Sequence, residues 1–231
     1  MGTSSDHSGG TSQAWSKART SGRDWASSGG GQGPGLARVV ADAAAALAGY
    51  EGTSAVNAAA PAMSRLGDLA TGPSDQNLSD ALRRHGLDDL TGRPPDEVHA
   101  ALVDYIAGDP KDRDADLVRA AADEAVAQVL ETADDLDAIV IDQAAAERMM
   151  QAFLVEWLTR LINRELGTAL TDQNPAEAEQ RSREIREYVS ESIATSLEER
   201  PITAIDWSSG GADGEARRIL ISAREVFADD S

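Results

Sequence analysis

The sequence predicts an all-α fold: an irregular helical bundle of about seven to nine helices behind a flexible Gly/Ser-rich N-terminal tail. Three observations lead there. After Gly35, apolar residues recur at i, i+3, i+4 and i+7 through most of the chain. Strand-compatible runs are confined to Ala138–Ile141 and Ile202–Ile205, and an isolated two-strand ribbon is weak. Hydrophobic residues make up 41% of 231 positions but aromatics only 4%, so the core packs through many small alanine and leucine contacts. No internal repeat and no break in composition divides residues 36–231, which read as a single helical domain after a tail over 1–35.

The tail is Gly, Ser and Thr with two tryptophans, Trp15 and Trp25, and it ends in Gly29-Gly30-Gly31-Gln32-Gly33-Pro34-Gly35. Its apolar surface is too small to offset backbone ordering entropy, and the glycine run reads as a flexible linker. The first helical stripe is Leu36, Val39, Val40, Ala43, Ala44 and Leu47, bracketed by Gly49 and Gly52. An alanine-rich helix with Met63, Leu66 and Leu69 follows and stops at Gly72-Pro73, with Pro61 as its expected start. A short helix carries Leu78, Ala81 and Leu82 and ends by Gly86. Pro94-Pro95 opens a helix with Val98, Leu102, Tyr105 and Ile106 on one face, closed by Gly108-Asp109-Pro110. Asp114 is the expected N-cap of the next, whose stripe runs Leu117, Val118, Ala121, Ala125, Val129, Ala133 and Leu136. Glu147–Leu170 is apolar around most of its circumference, which marks a central helix touched on two sides. Ile185, Val189, Ile193 and Leu197 mark a further helix, and Ile219, Leu220, Ala223, Val226 and Phe227 a last one.

Charge narrows the function classes. Forty acidic residues against 21 basic ones give a net charge of −19, a field that repels phosphate backbones and anionic lipid. Direct nucleic-acid binding is not expected, and a basic protein partner is easier to accommodate. The chain has no cysteine, which removes disulfides, thiol nucleophiles and thiolate metal sites. There is no apolar run of about 18 residues and no basic-then-apolar leader, so the expected location is cytoplasmic without membrane contact.

Catalytic patterns are missing. No phosphate-binding glycine loop with Lys-Ser/Thr exists, and Gly29–Gly35 does not match the dinucleotide spacing. Of three histidines, His7 lies in the tail, His85 reads as a complement to a helix C-terminal dipole, and His99 shares a face with Asp96. A lone Asp-x-x-His falls short of a bundle metal site, which needs carboxylates from facing helices. No catalytic residue, metal or cofactor is expected.

The start of the chain carries the functional signal. A small second residue favours removal of Met1, leaving Gly2 with an unhindered α-amine. Such amines titrate near about 7.7–8.0, so a useful fraction is neutral and nucleophilic. Trp15 and Trp25 have no local core to enter and are expected to dock, on the body of this protein or on a partner, because exposure costs about 1.5–3 kcal/mol each, and with Thr3 and Ser4 they are the expected partner-recognition residues.

Met1-Gly2-Thr3-Ser4, a Gly/Ser tail with tryptophan, a glycine-rich segment, and a helix like Leu36–Leu47 followed by Gly52-Thr53-Ser54 together resemble the QatB proteins of bacterial Qat antiphage systems. The resemblance is strongest over about residues 1–70; beyond them only the helical character and the apolar helix around Phe153 agree. The proline-rich stretch associated with that family's tail is absent. The resemblance implies a non-enzymatic defence component, with an ATPase, a QueC-like enzyme (QatC) and a TatD-like nuclease as neighbours. QueC-type enzymes activate a 7-deazaguanine carboxylate as an adenylate for attack by an amine. Here the implied amine maps onto Gly2, with Thr3 and Ser4 at the mouth of the partner's cleft. Extended, Gly2–Gly10 would reach roughly 30 Å. The alternative is a helical adaptor or scaffold whose tail has no covalent role.

Overall fold

The computed structural model describes residues 9–48, 54–70, 77–90, 92–108, 114–130, 139–170 and 175–199. Among these, eight α-helices follow in order: α1 (Gly9–Ser27), α2 (Pro34–Ala48), α3 (Ser54–Ala70), α4 (Leu78–Arg84), α5 (Pro95–Ala107), α6 (Ala115–Leu130), α7 (Gln143–Leu170) and α8 (Pro175–Glu199). A 3₁₀ turn, Asp88–Leu90, lies between α4 and α5. The all-α expectation holds. The expected helix around Ile219–Phe227, the run Ile202–Ile205, and Ala133 with Leu136 lie outside the described residues.

α7 is the axis of the bundle. It packs against α1, α3, α6 and α8, which explains why its apolar residues run around the helix. Met150, Phe153, Trp157, Leu161, Ile162 and Leu166 are all at most 1% exposed. The neighbours supply matching stripes: Val118, Ala121, Ala122 and Ala125 from α6, and Ile185, Val189 and Ile193 from α8. The abundance of alanine along these seams lets helices approach closely, so burial is spread over many small contacts.

Helix ends follow local chemistry. Asn77 caps α4 by accepting the Asp80 N–H at 2.8 Å through its side chain. Pro95 opens α5 with Asp96 and Glu97 in the first turn, and Gly108 closes it at φ 73°, a conformation glycine adopts without strain. The carbonyl of Asp114 accepts from the N–H groups of Leu117 and Val118, the cap position expected of it. Its carboxylate meets Arg164 of α7 at 2.6 Å.

One local expectation is corrected. Pro61 lies inside α3 rather than at its start. An interior proline forgoes one helical hydrogen bond, costing about 3 kcal/mol. Burial of Val56, Ala59, Ala60, Ala62 and Met63 on both sides of it outweighs that cost. The run around Ile139–Ile141 forms no strand: Val140 makes an isolated antiparallel bridge with Asn77, and Ile139 and Ile141 turn inward while Val140 stays exposed.

Candidate functional site

The N-terminal region departs most from the sequence expectation. Residues 9–27, read as part of a tail over 1–35, form helix α1 packed against α2 and α7. Its buried positions explain why. Trp15, Ala18, Gly22 and Trp25 are spaced 3, 4 and 3 apart, with Ser21 and Ala26 beside them, forming a narrow stripe of helical period. That spacing was the available signal; the Gly, Ser and Thr on the other faces masked it.

Each end of this stripe is tied down. Trp15 and Trp25 are 7% and 4% exposed and belong to the hydrophobic core, so both rings are committed to the chain's own body. Gly22 faces Leu166, Ala169 and Leu170 of α7. The guanidinium of Arg19 donates to the Glu165 carbonyl at 2.9 Å and lies 3.5 Å from its carboxylate. Asp42 of α2, itself buried, receives the hydroxyl of Ser21 and the ammonium of Lys17, the latter at 2.7 Å. A buried carboxylate requires such partners to offset desolvation.

The glycine run after α1 is an ordered turn rather than a linker. The Trp25 indole N–H donates to the Gly31 carbonyl at 2.9 Å. The Gly31 N–H in turn donates to the Glu184 carboxylate of α8 at 2.8 Å. Gly30 and Gly31 sit at φ 71° and 95°, a left-handed backbone that other residues adopt only with strain. Beneath the turn, buried Arg181 donates to the Ala26 carbonyl at 3.1 Å and the Leu170 carbonyl at 2.8 Å. One guanidinium thus caps the C-terminal ends of α1 and α7, where the helix dipoles favour positive charge.

Of the residues assigned to function from sequence, Gly2, Thr3 and Ser4 lie outside the described residues. Trp15 and Trp25 are brought to one side of α1. Nothing in the sequence stripes pointed to Arg181, Glu184 or Asp42, because each acts on another element rather than along its own helix.

The two described histidines, His85 and His99, take structural roles. His85 ends α4, but its side chain is 8% exposed and lies 2.9 Å from the Tyr105 hydroxyl and 3.6 Å from Asp68. Burial lowers its pKa below 6.5, against the opposing pull of Asp68 and with a smaller push from Arg84. Burial favours the neutral ring, and the residue holds the C-cap position of α4, the helix end expected of it. The same burial, reinforced by Asp68, raises the Tyr105 pKa above 10. His99 pairs with Asp123 of α6 at 3.2 Å, and Asp96 lines the same groove between α5 and α6. Among the described residues no three His, Asp or Glu side chains converge as a metal site. Nor is any described helix long and apolar enough to cross a membrane.

No curated protein and no solved structure matches the chain. The family model described as Qat anti-phage system associated protein QatB matches residues 50–227, well over half of the sequence, and the chain therefore belongs to the QatB family.

Proposed function

We propose that this protein serves its Qat system as a partner and substrate rather than as an enzyme, with Gly2 as the acceptor of a 7-deazaguanine group. In this reading a QueC-like enzyme (QatC) activates a 7-deazaguanine carboxylate with ATP. The neutral α-amine of Gly2 attacks the adenylate carbonyl, an amide bond forms, AMP leaves and the amine proton passes to solvent. Thr3 and Ser4 enter the cleft behind it, small enough to add hydrogen bonds without bulk. The system's ATPase and TatD-like nuclease are the remaining proposed partners.

The observation that carries the reading is the anchoring of α1 on the body of a QatB-family chain. Trp15 and Trp25 act in it as the anchor rather than as the contact with the enzyme. Seven residues, Gly2 to Ser8, precede the helix, a reach of roughly 25 Å when extended. A substrate terminus needs reach at its tip and a fixed base behind it, since tethering sets the effective concentration of the amine at the enzyme.

Mass spectrometry of the N-terminal peptide, after co-expression with the neighbouring genes, tests this. A mass added at Gly2 that vanishes when the QueC-like gene is omitted is the expected result. An unmodified Gly2 peptide under verified co-expression, or normal modification of a Gly2→Pro variant, overturns it in favour of a helical adaptor.

A further inference from the structure

A second feature lies farther toward the N-terminus of α7 and plays no part in the reading above. Glu156, Thr159, Arg160, Asn163 and Arg164 follow at i, i+3, i+4, i+7 and i+8, so they share one face of α7. That face opens between α6 and α8 into a groove of about 490 Å³, whose other wall carries Ser182, Arg183 and Arg186. Four arginines therefore line one cleft of a chain whose net charge is −19.

The groove is built rather than incidental. Glu156, 7% exposed at its side chain, takes both Arg160 and Arg186, and Arg186 also pairs with Glu124 at 3.3 Å. Arg164 is held by Asp114 at 2.6 Å and Glu165 at 3.1 Å. These carboxylates fix the guanidiniums in position and saturate themselves in doing so. Arg183 makes none of these ion pairs and stands exposed at the lip. Within the groove, Thr159 is 4% exposed, and its buried hydroxyl has no hydrogen-bond partner. A buried orphan of this kind is rare and calls for an explanation. Beside it, Asn163 donates to the Ser182 hydroxyl at 2.7 Å, leaving the proton of Ser182 for a further acceptor.

We propose that this groove binds a small phosphorylated molecule of nucleotide size, its phosphate held by Arg183, Arg186 and the hydroxyls of Thr159 and Ser182. The Arg183 guanidinium and the hydroxyls of Thr159 and Ser182 supply donors to the groove, and a phosphate offers several acceptor oxygens in divergent directions. The volume exceeds what one phosphate fills and lies in the range of small-molecule sites. An extended polyanion does not fit the surroundings, because the acidic remainder of the chain repels it.

Isothermal titration of the full chain with inorganic pyrophosphate and with AMP, each used as a probe, tests the assignment. One saturable site per chain is expected. Arg183→Ala and Thr159→Val each weaken it by about tenfold or more, as for loss of a hydrogen bond to a charged group. Arg148→Ala, an exposed arginine on α7 outside the groove, leaves it unchanged. Thr159→Val is isosteric and removes an orphaned hydroxyl, so without ligand its unfolding midpoint stays level or rises. That separates lost binding from lost folding. Tighter binding of AMP than of pyrophosphate identifies a nucleotide; the reverse order identifies the polyphosphate group itself. Absence of saturable binding, an equal loss in Arg148→Ala, or preference for a single-stranded oligonucleotide over both probes overturns the proposal.

Discussion

Replacing Trp25 with alanine tests whether the N-terminal helix is part of the fold. The ring is 4% exposed, packs beside Gly30 and Gly35, and spends its N–H on the Gly31 carbonyl at 2.9 Å. Loss of a fully buried tryptophan costs about 3–5 kcal/mol through lost burial and the cavity left behind. Trp25→Phe retains most of the ring but gives up the hydrogen bond, worth about 1 kcal/mol. With a urea slope of about 2–3 kcal/mol per molar, alanine should lower the midpoint by about 1–2 M and phenylalanine by about a third of a molar. Circular dichroism during urea unfolding gives the midpoint. Hydrogen exchange of the peptides covering α1 separates local detachment of that helix from global unfolding. A variant Trp25→Ala with wild-type midpoint and wild-type protection of residues 9–27 would refute the docking of α1.

Arg181→Ala removes the two charged hydrogen bonds that cap Ala26 and Leu170, together with the contact to Glu177, so a loss of about 2–4 kcal/mol is expected in the same assay. Arg181→Lys should recover less than half of it, because a single ammonium lacks the fork that spans both carbonyls. His85 gives the stability a pH slope. Its folded pKa lies below the unfolded value of 6.5, so the unfolded state binds the proton first on acidification. Its contribution is complete above pH 6.5 and is lost as the pH falls below that toward the folded pKa. His85→Gln should flatten this part of a plot of midpoint against pH, and an unchanged slope would show that the ring does not titrate between the two states.

The helical body was largely legible in the sequence. The stripes in Leu36–Leu47, Leu117–Val129 and Ile185–Leu197 predict buried faces, and the all-round apolar pattern of Glu147–Leu170 predicts a central helix. These are local signals: periodicity reports which side of a helix is dry whatever it packs against. The resemblance drew mainly on residues 1–70, whereas the family match spans residues 50–227, so the two rest largely on different parts of the chain.

Helix α1 was not legible, although Trp15, Ala18, Gly22 and Trp25 mark its stripe. A Gly- and Ser-rich segment gains little from forming a helix alone, so its order depends on surfaces supplied by α2 and α7. The same holds for the glycine turn, which Glu184 fixes across more than 150 residues of chain. The arginine groove shows the division most plainly. Sequence alone sets its residues on one face of α7 and one face of α8. The facing of those helices, the pairing of Glu156 with Arg186, and the orphaned hydroxyl of Thr159 are decided when packing brings distant side chains together. Composition and period are local properties that determine which elements form, whereas a site depends on the relative placement of elements and is decided in three dimensions.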